Sequence, residues 1–306
     1  MEVSSPGRIC LFGEHQDYLG LPVVAMAISL RAKIVGQKRE DQQVIIHKPD
    51  ISESEKFSLD GLSYTKQRDY FKSGINICIR EGLVFSNGFE CEITSKIPIQ
   101  AGVGSSSAVM VNWIHFLTQM ADAPVIWNEQ KIGELAYRAE VLEFNEPGGM
   151  MDQYTASMGN MIYLISEPTI SIKSLNPNLG SFVLGDSCEP KDTMGILQRC
   201  RDARVKIIQK LKEKTPNFNI HNSEDVDLSL LNEEEKNIFR GTIKNRNILR
   251  KVLPELNREA PKPDLIGARL IEHHAVLRDV LKISTPKIEA MLDASLDAGA
   301  LGGKIN

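Results

Sequence analysis

Apolar and polar positions along the first half of the chain follow two alternating periods. Stretches with β-branched residues at residues 23–35, 44–47 and 89–97 predict strands. Between and after them, apolar residues recur at helical spacing in residues 69–81, 108–121 and 130–144. A short apolar run, Met161 to Ile165, predicts a strand that closes this half. Residues 167–180 are rich in Pro, Asn and Gly, the pattern of a domain boundary.

The second half is more charged and more helical. Helices are predicted over 193–213, 233–252, 267–281 and 286–298, and the polar stretch 211–230, with Pro216 and several Asn, predicts a surface loop. Strand partners are invisible in such a pattern, so α+β and α/β arrangements both fit it.

Composition narrows the function classes. The chain has 306 residues, 42% hydrophobic and 25% charged, in the ordinary globular range. A net charge of -4 argues against a nucleic-acid surface. The five cysteines are odd in number and widely spaced, which suits buried thiols in a reducing compartment. No signal-like core and no run of about eighteen apolar residues occurs. A cytoplasmic protein without a membrane partner is expected.

Three islands could carry chemistry. The first runs from Pro98 to Ala108 and reads Pro-Ile-Gln-Ala-Gly-Val-Gly-Ser-Ser-Ser-Ala. Gly102 and Gly104 permit close backbone approach, and Val103, Ser105, Ser106 and Ser107 add backbone N–H groups and hydroxyls at the start of a helix. The dipole and unpaired amides there suit a phosphate. An ordinary serine N-cap after a Gly-rich turn has the same composition. No Lys follows the glycines as in a Walker A loop.

The second island, near the N-terminus, brings Glu14, His15 and Asp17 together after Gly13. Carboxylates and an imidazole so spaced suit the hydroxyls of one small polyol, and equally a solvated charged turn. In the third, Asp152 follows the turn Pro147-Gly148-Gly149, as a general base or a helix cap would. Upstream, Glu140, Glu143 and Glu146 include a candidate ligand for a hard cation such as Mg²⁺, or line a solvated face. The adjacent His273 and His274 point in different directions along a helix and read as structural.

Taken together in their order along the chain, the islands resemble the GHMP kinases, and galactokinases in particular. The galactokinase pattern Gly-Arg-x-x-x-x-Gly-Glu-His-x-Asp-Tyr is matched by Gly7, Arg8, Gly13, Glu14, His15, Asp17 and Tyr18. Gly102 to Ser107 match the phosphate loop, and Met151, Asp152 and Gln153 match the Met-Asp-Gln element. A further stretch, His274-Ala-Val-Leu-Arg-Asp279 followed by Ser284-Thr285-Pro286, is also similar.

The resemblance implies an α+β, two-domain GHMP kinase fold. A ribosomal-protein-S5-like domain would span 1–166, and a ferredoxin-like domain 167–306. It implies ATP and Mg²⁺ as cofactors and transfer to the anomeric hydroxyl of a monosaccharide, galactose first. Arg8 and Asp152 would be catalytic. Glu14, His15, Asp17 and Tyr18 would bind the sugar, residues 102–107 the ATP phosphates, and Ser106 with Glu140 the metal.

Two departures bear on the substrate: Leu19 stands where the family has Asn, and the family's sugar-contacting tyrosine falls at or near Leu197. Another sugar, such as arabinose or a uronic acid, and a non-catalytic sugar-and-ATP-binding regulator are the alternatives. The family's third, glycine-rich motif would begin at Gly302-Gly303, so a truncated C-terminal domain is expected.

Overall fold

The computed structural model describes residues 1–189, 193–223 and 226–306. The fold is mixed α+β, as the resemblance implies. Its residues form two compact units that are not sequential halves. Met1–Ile9 joins Met26–Asn160, and Cys10–Ala25 joins Met161–Asn306. The sequence reading divides the chain once, after residue 166; the units divide it at three points, because the turn after the first strand packs with the later helices.

In the first unit, β1 (Glu2–Phe12, of which residues 2–9 lie here) pairs with β2 (Val23–Lys38). The sheet continues β2, β5 (Phe89–Ser95), β3 (Gln43–Lys48), β4 (Glu53–Ser58). β2 and β5 are antiparallel, with Ile34 opposite Ile93, while β3 and β5 are parallel. Parallel neighbours need a crossover. It is supplied by α1 (Tyr70–Arg80).

Of three more helices, α2 (Ser105–Met120) and α3 (Glu129–Glu140) pack on α1, and α4 (Met151–Met158) packs on α2 and α3. The helical reading of 130–144 runs too far. Glu140 is the last residue of α3, and a short 3₁₀ turn, Leu142–Phe144, follows.

The core of this unit lies between sheet and helices and centres on Trp113. Its ring is fully buried, stacks on Phe116 and meets Phe71 and Phe89 edge-on, and its Nε1 donates to the Phe71 carbonyl at 2.9 Å. Asn112 Nδ2 donates to the Ala32 carbonyl (2.9 Å), and Ser5 Oγ to that of Ala108 (2.7 Å). These two bonds fix α2 against the sheet, and with it the position of the loop that precedes the helix.

The second unit holds the hairpin β6 (Met161–Ile165) and β7 (Ser171–Leu175), then α5 (Thr193–Lys214), α6 (Glu233–Leu256), α7 (Pro263–Asp279) and α8 (Pro286–Asp297). β7 lies inside the Pro/Asn/Gly-rich stretch read as a boundary. The start of α6 is fixed by a capping box between Asn232 and Glu235, which satisfies two orphan amides.

The stretch 211–230 is not simply a surface loop. Leu211, Phe218 and Ile220 are buried in an apolar cluster with Leu19, Leu21, Ile207 and Phe239. Few apolar residues in a polar segment suffice to pin it, which periodicity does not reveal. The five cysteines are all thiols, four of them buried. Among the described residues no helix is long and apolar enough to cross a membrane.

Trp113→Ala removes the ring on which three phenylalanines pack. The variant should lose about 3–5 kcal/mol of unfolding free energy in a denaturant titration. A loss below about 1 kcal/mol would contradict this placement of the core.

Candidate active site

The first cluster is built on the end of β1 that belongs to the first unit. Arg8 is buried, and its guanidinium grips Asp152 with both arms: Nε donates to Oδ1 at 2.6 Å and Nη2 to Oδ2 at 2.5 Å. Its third arm, Nη1, donates to the carbonyl of Gly102. The Arg8 backbone N–H donates to the Val103 carbonyl at 2.9 Å. One residue thus ties the glycine-serine loop to the aspartate of α4, by side chain and by main chain.

The loop is shaped for that attachment. Gly104, the N-cap of α2, has φ 73°, in the left-handed region that suits glycine. A Cβ there would also lie 3.1 Å from Arg8 Cγ. The serine N-cap reading is corrected here. Ser105 is the first helical residue, so Ser105, Ser106 and Ser107 all sit in the first turn, where helix amides have no intrahelical partner. That terminus is what an anion needs. Asp152 is likewise no cap: α4 is capped at Met150, and Asp152 is its second residue.

Below the loop lies a second carboxylate. Glu140 is almost completely buried and receives hydrogen bonds from Gln153 Nε2 (2.7 Å to Oε2), Ser106 and Ser107. Burial raises its pKa above the ordinary carboxylate range. The three donors pull it down, and the Asp152 charge adds a further upward push. Gln153 Nε2 also lies 3.2 Å from Ser107 Oγ, and its Oε1 is buried with no partner among the described residues.

The three upstream glutamates separate clearly. Glu143 is bound by Arg80 and Tyr64, and Glu146 by Arg68 and Tyr70, whereas Glu140 alone joins the serines.

These groups fit a hard cation. Glu140 and Ser106 offer oxygen ligands, and the orphan Gln153 Oε1 is one more buried acceptor at the same place. Among the described residues no three His, Cys, Asp or Glu side chains gather as a metal cage. Such a sparse protein donor set suits Mg²⁺ held jointly with nucleotide phosphates.

The N-terminal motif belongs to the second unit. After β1, Gly13 takes φ 85°, and a Cβ there would meet the Pro22 carbonyl at 2.7 Å. His15 is also left-handed, with φ 59°. The chain closes through a 3₁₀ turn, Asp17–Leu19, and Gln16 Nε2 donates to the Pro22 carbonyl at 2.5 Å.

Glu14, His15 and Asp17 are all buried in this turn, which corrects the reading of a solvated charged loop. Leu19 has a packing role, since it fills the apolar cluster with Ile207 and Leu211. Tyr18 is partly buried against α5: Arg204 lies over its ring, 5.2 Å from the centroid, and donates to its hydroxyl. Burial pushes the Tyr18 phenol well above its usual range, with Arg204 opposing.

Sequence reasoning misses Arg204, and it misses Lys304, whose Nζ sits 2.9 Å from Glu14 Oε2. Both lie far away in the chain, and neither stands in a pattern that marks it. His273 is structural, as expected. It is fully buried, stacks on Phe12 and faces the Leu11 carbonyl through Nδ1, and desolvation depresses its pKa to about 3.

Glu140 gives a pH prediction with a definite sign. A carboxyl raised in the fold contributes stability below the unfolded value, and that contribution is lost as pH rises through the raised one. Glu140→Gln cannot ionise. In Mg²⁺-free buffer its stability relative to wild type should therefore climb from about pH 4 towards neutrality, read by thermal melts. A difference that stays constant over that range would contradict burial as the dominant influence on Glu140.

Residues 69–160 match the family described as GHMP kinases N terminal domain, and residues 1–38 the galactokinase galactose-binding signature. The mevalonate kinase of Pyrococcus furiosus is 25% identical over 312 residues, covering 99% of this chain and 84% of that protein. The galactokinase of Streptomyces coelicolor is 24% identical over 314 residues, covering 99% and 80%.

Among solved structures, Lactococcus lactis galactokinase complexed with galactose superimposes with a TM-score of 0.87 at 19% identity, over 98% of this chain and 81% of that one. The phosphate-type loop and the buried carboxylates fall inside the segment that matches the GHMP kinases N terminal domain, the N-terminal turn falls inside the galactokinase signature, and the chain shares the fold of galactokinase.

Proposed function

We propose that the protein is an ATP-dependent kinase that phosphorylates the anomeric hydroxyl of a monosaccharide, with galactose the first candidate. The observation that carries the reading is the two-armed Arg8–Asp152 pair fastened to the loop carbonyls of Gly102 and Val103. It holds a carboxylate beside a phosphate-type helix N-terminus, which is the juxtaposition that phosphoryl transfer to a hydroxyl needs. The galactose-binding signature over residues 1–38 supports a sugar as acceptor.

In this reading residues 102–107 and the α2 N-terminus hold the ATP phosphates. Ser106 and Glu140 hold Mg²⁺, which when bound draws charge from the phosphate oxygens. Glu14, His15, Asp17 and Tyr18 bind the sugar hydroxyls. Asp152 accepts the hydrogen bond of the anomeric hydroxyl and orients or deprotonates it. The anomeric oxygen bonds to the γ-phosphorus, the bond to the β–γ bridging oxygen breaks, and ADP departs. Arg8 keeps Asp152 in one rotamer and offsets negative charge as the group transfers. The thiol state of all five cysteines supports a cytoplasmic location.

Mevalonate kinases match the chain as fully as galactokinases do, so the acceptor is the part to test. A coupled assay of ADP release with galactose, arabinose, a uronic acid and mevalonate should give its highest turnover with galactose. Release with mevalonate alone would overturn the sugar reading but leave the kinase. No release with any acceptor, despite ATP and sugar binding, would favour the regulator alternative.

Asp152→Asn should lower turnover by about 10²–10⁴-fold. Nucleotide affinity should stay within a few-fold, since the variant leaves the loop intact. Near wild-type turnover would remove Asp152 from the reaction.

A further inference from the structure

Near the end of the chain, Lys304 carries its ammonium group into the interior of the second unit. Nζ lies 2.9 Å from Glu14 Oε2 and donates to the Ile305 carbonyl at 2.5 Å. The two charged side chains are only 6% and 7% exposed. The segment that bears Lys304 is fixed on both sides. Ile305 is buried with Cys200, Leu277, Leu281 and Ile283, its N–H donates to His274 Nδ1 (3.3 Å), and Asn306 Oδ1 accepts from the Cys10 N–H (2.7 Å).

A buried ion pair is a poor way to hold a turn together. Taking both charges out of water carries a desolvation cost, and apolar residues of like volume serve stability as well or better. The Glu14 backbone, moreover, is held separately. Asn245 Nδ2 donates to its carbonyl at 3.0 Å, and Gly13 and Gln16 brace the turn on either side. What Lys304 fixes is the Glu14 carboxylate itself. An ionised carboxylate offers about four acceptor sites, so one held by an ammonium keeps acceptor capacity for hydroxyl donors.

We infer that Lys304 is a positioning residue for substrate recognition: it keeps Glu14 ionised and in one orientation, so that the carboxylate accepts hydrogen bonds from hydroxyls of the monosaccharide. The inference rests on the sugar-kinase reading and gives a role to a residue far outside the N-terminal motif. The sugar then finds its acceptor already oriented, and the cost of ordering it is met in folding.

The test is a double-mutant cycle on the whole protein, with the monosaccharide that wild type turns over best and KM measured separately for sugar and ATP. Lys304→Met should raise the sugar KM about ten-fold or more, with the ATP KM within about three-fold. Because Lys304 acts through Glu14, adding Lys304→Met to Glu14→Gln should cause no further rise in sugar KM. The double variant leaves no unpaired buried charge, so this comparison stands even where Lys304→Met alone does not fold.

An unchanged sugar KM in folded Lys304→Met, a parallel rise in the ATP KM, or additive losses in the double variant would each overturn the role of Lys304. A wild-type protein that phosphorylates no monosaccharide would overturn the sugar reading itself, and the inference with it.

Discussion

The first unit depends on one buried cation that has to be satisfied. Arg8 is inside the protein, where an unpaired guanidinium would be very costly, and its partners are a carboxylate on α4 and carbonyls of the loop before α2. Those partners come from two separate parts of the chain, both far from Arg8 in sequence. Meeting them fixes the distance between aspartate and loop, requires glycine at position 104 and leaves the first turn of α2 open to an anion. On the proposed reading, the groups assigned to the transferring phosphoryl are held in place by contacts within the protein itself.

The second unit repeats the device with opposite sign. There the buried anion is Glu14 and the partner is Lys304. In the first unit both partners, Arg8 and Asp152, stand in motifs that the sequence singles out, whereas in the second Glu14 is completed by Lys304, which no motif marks. This division also explains the two substrate departures differently. Leu19 is accounted for by packing, because it joins Leu21 and Ile207 in an apolar cluster. Nothing in the structure explains Leu197.

Much of the fold was legible because its determinants are local. Strong periodicity marked α2 and the long second-half helices, and β-branched runs marked β2, β3 and β5. β4 and β7 were missed. β4 is polar on most positions (Glu53, Ser54, Glu55, Lys56, Ser58), and β7 is a short hairpin partner of β6 in a breaker-rich stretch. The motif residues were legible as types, but their partners were not. Which glutamate meets the serines depends on where α3 ends, and whether Asp152 caps or opens α4 depends on Met150. Pairings across 144 residues, as for Arg8 with Asp152, or 290, as for Glu14 with Lys304, leave no local trace in composition or period.

The chemistry proposed for this site is tested most directly by the identity of the product. Incubated with ATP, Mg²⁺ and galactose, the protein should yield a sugar phosphate whose ³¹P signal correlates with the anomeric proton in a ³¹P–¹H NMR experiment. Phosphate coupled instead to the protons of the exocyclic carbon, or ATP hydrolysed to free phosphate with no sugar ester formed, would contradict it.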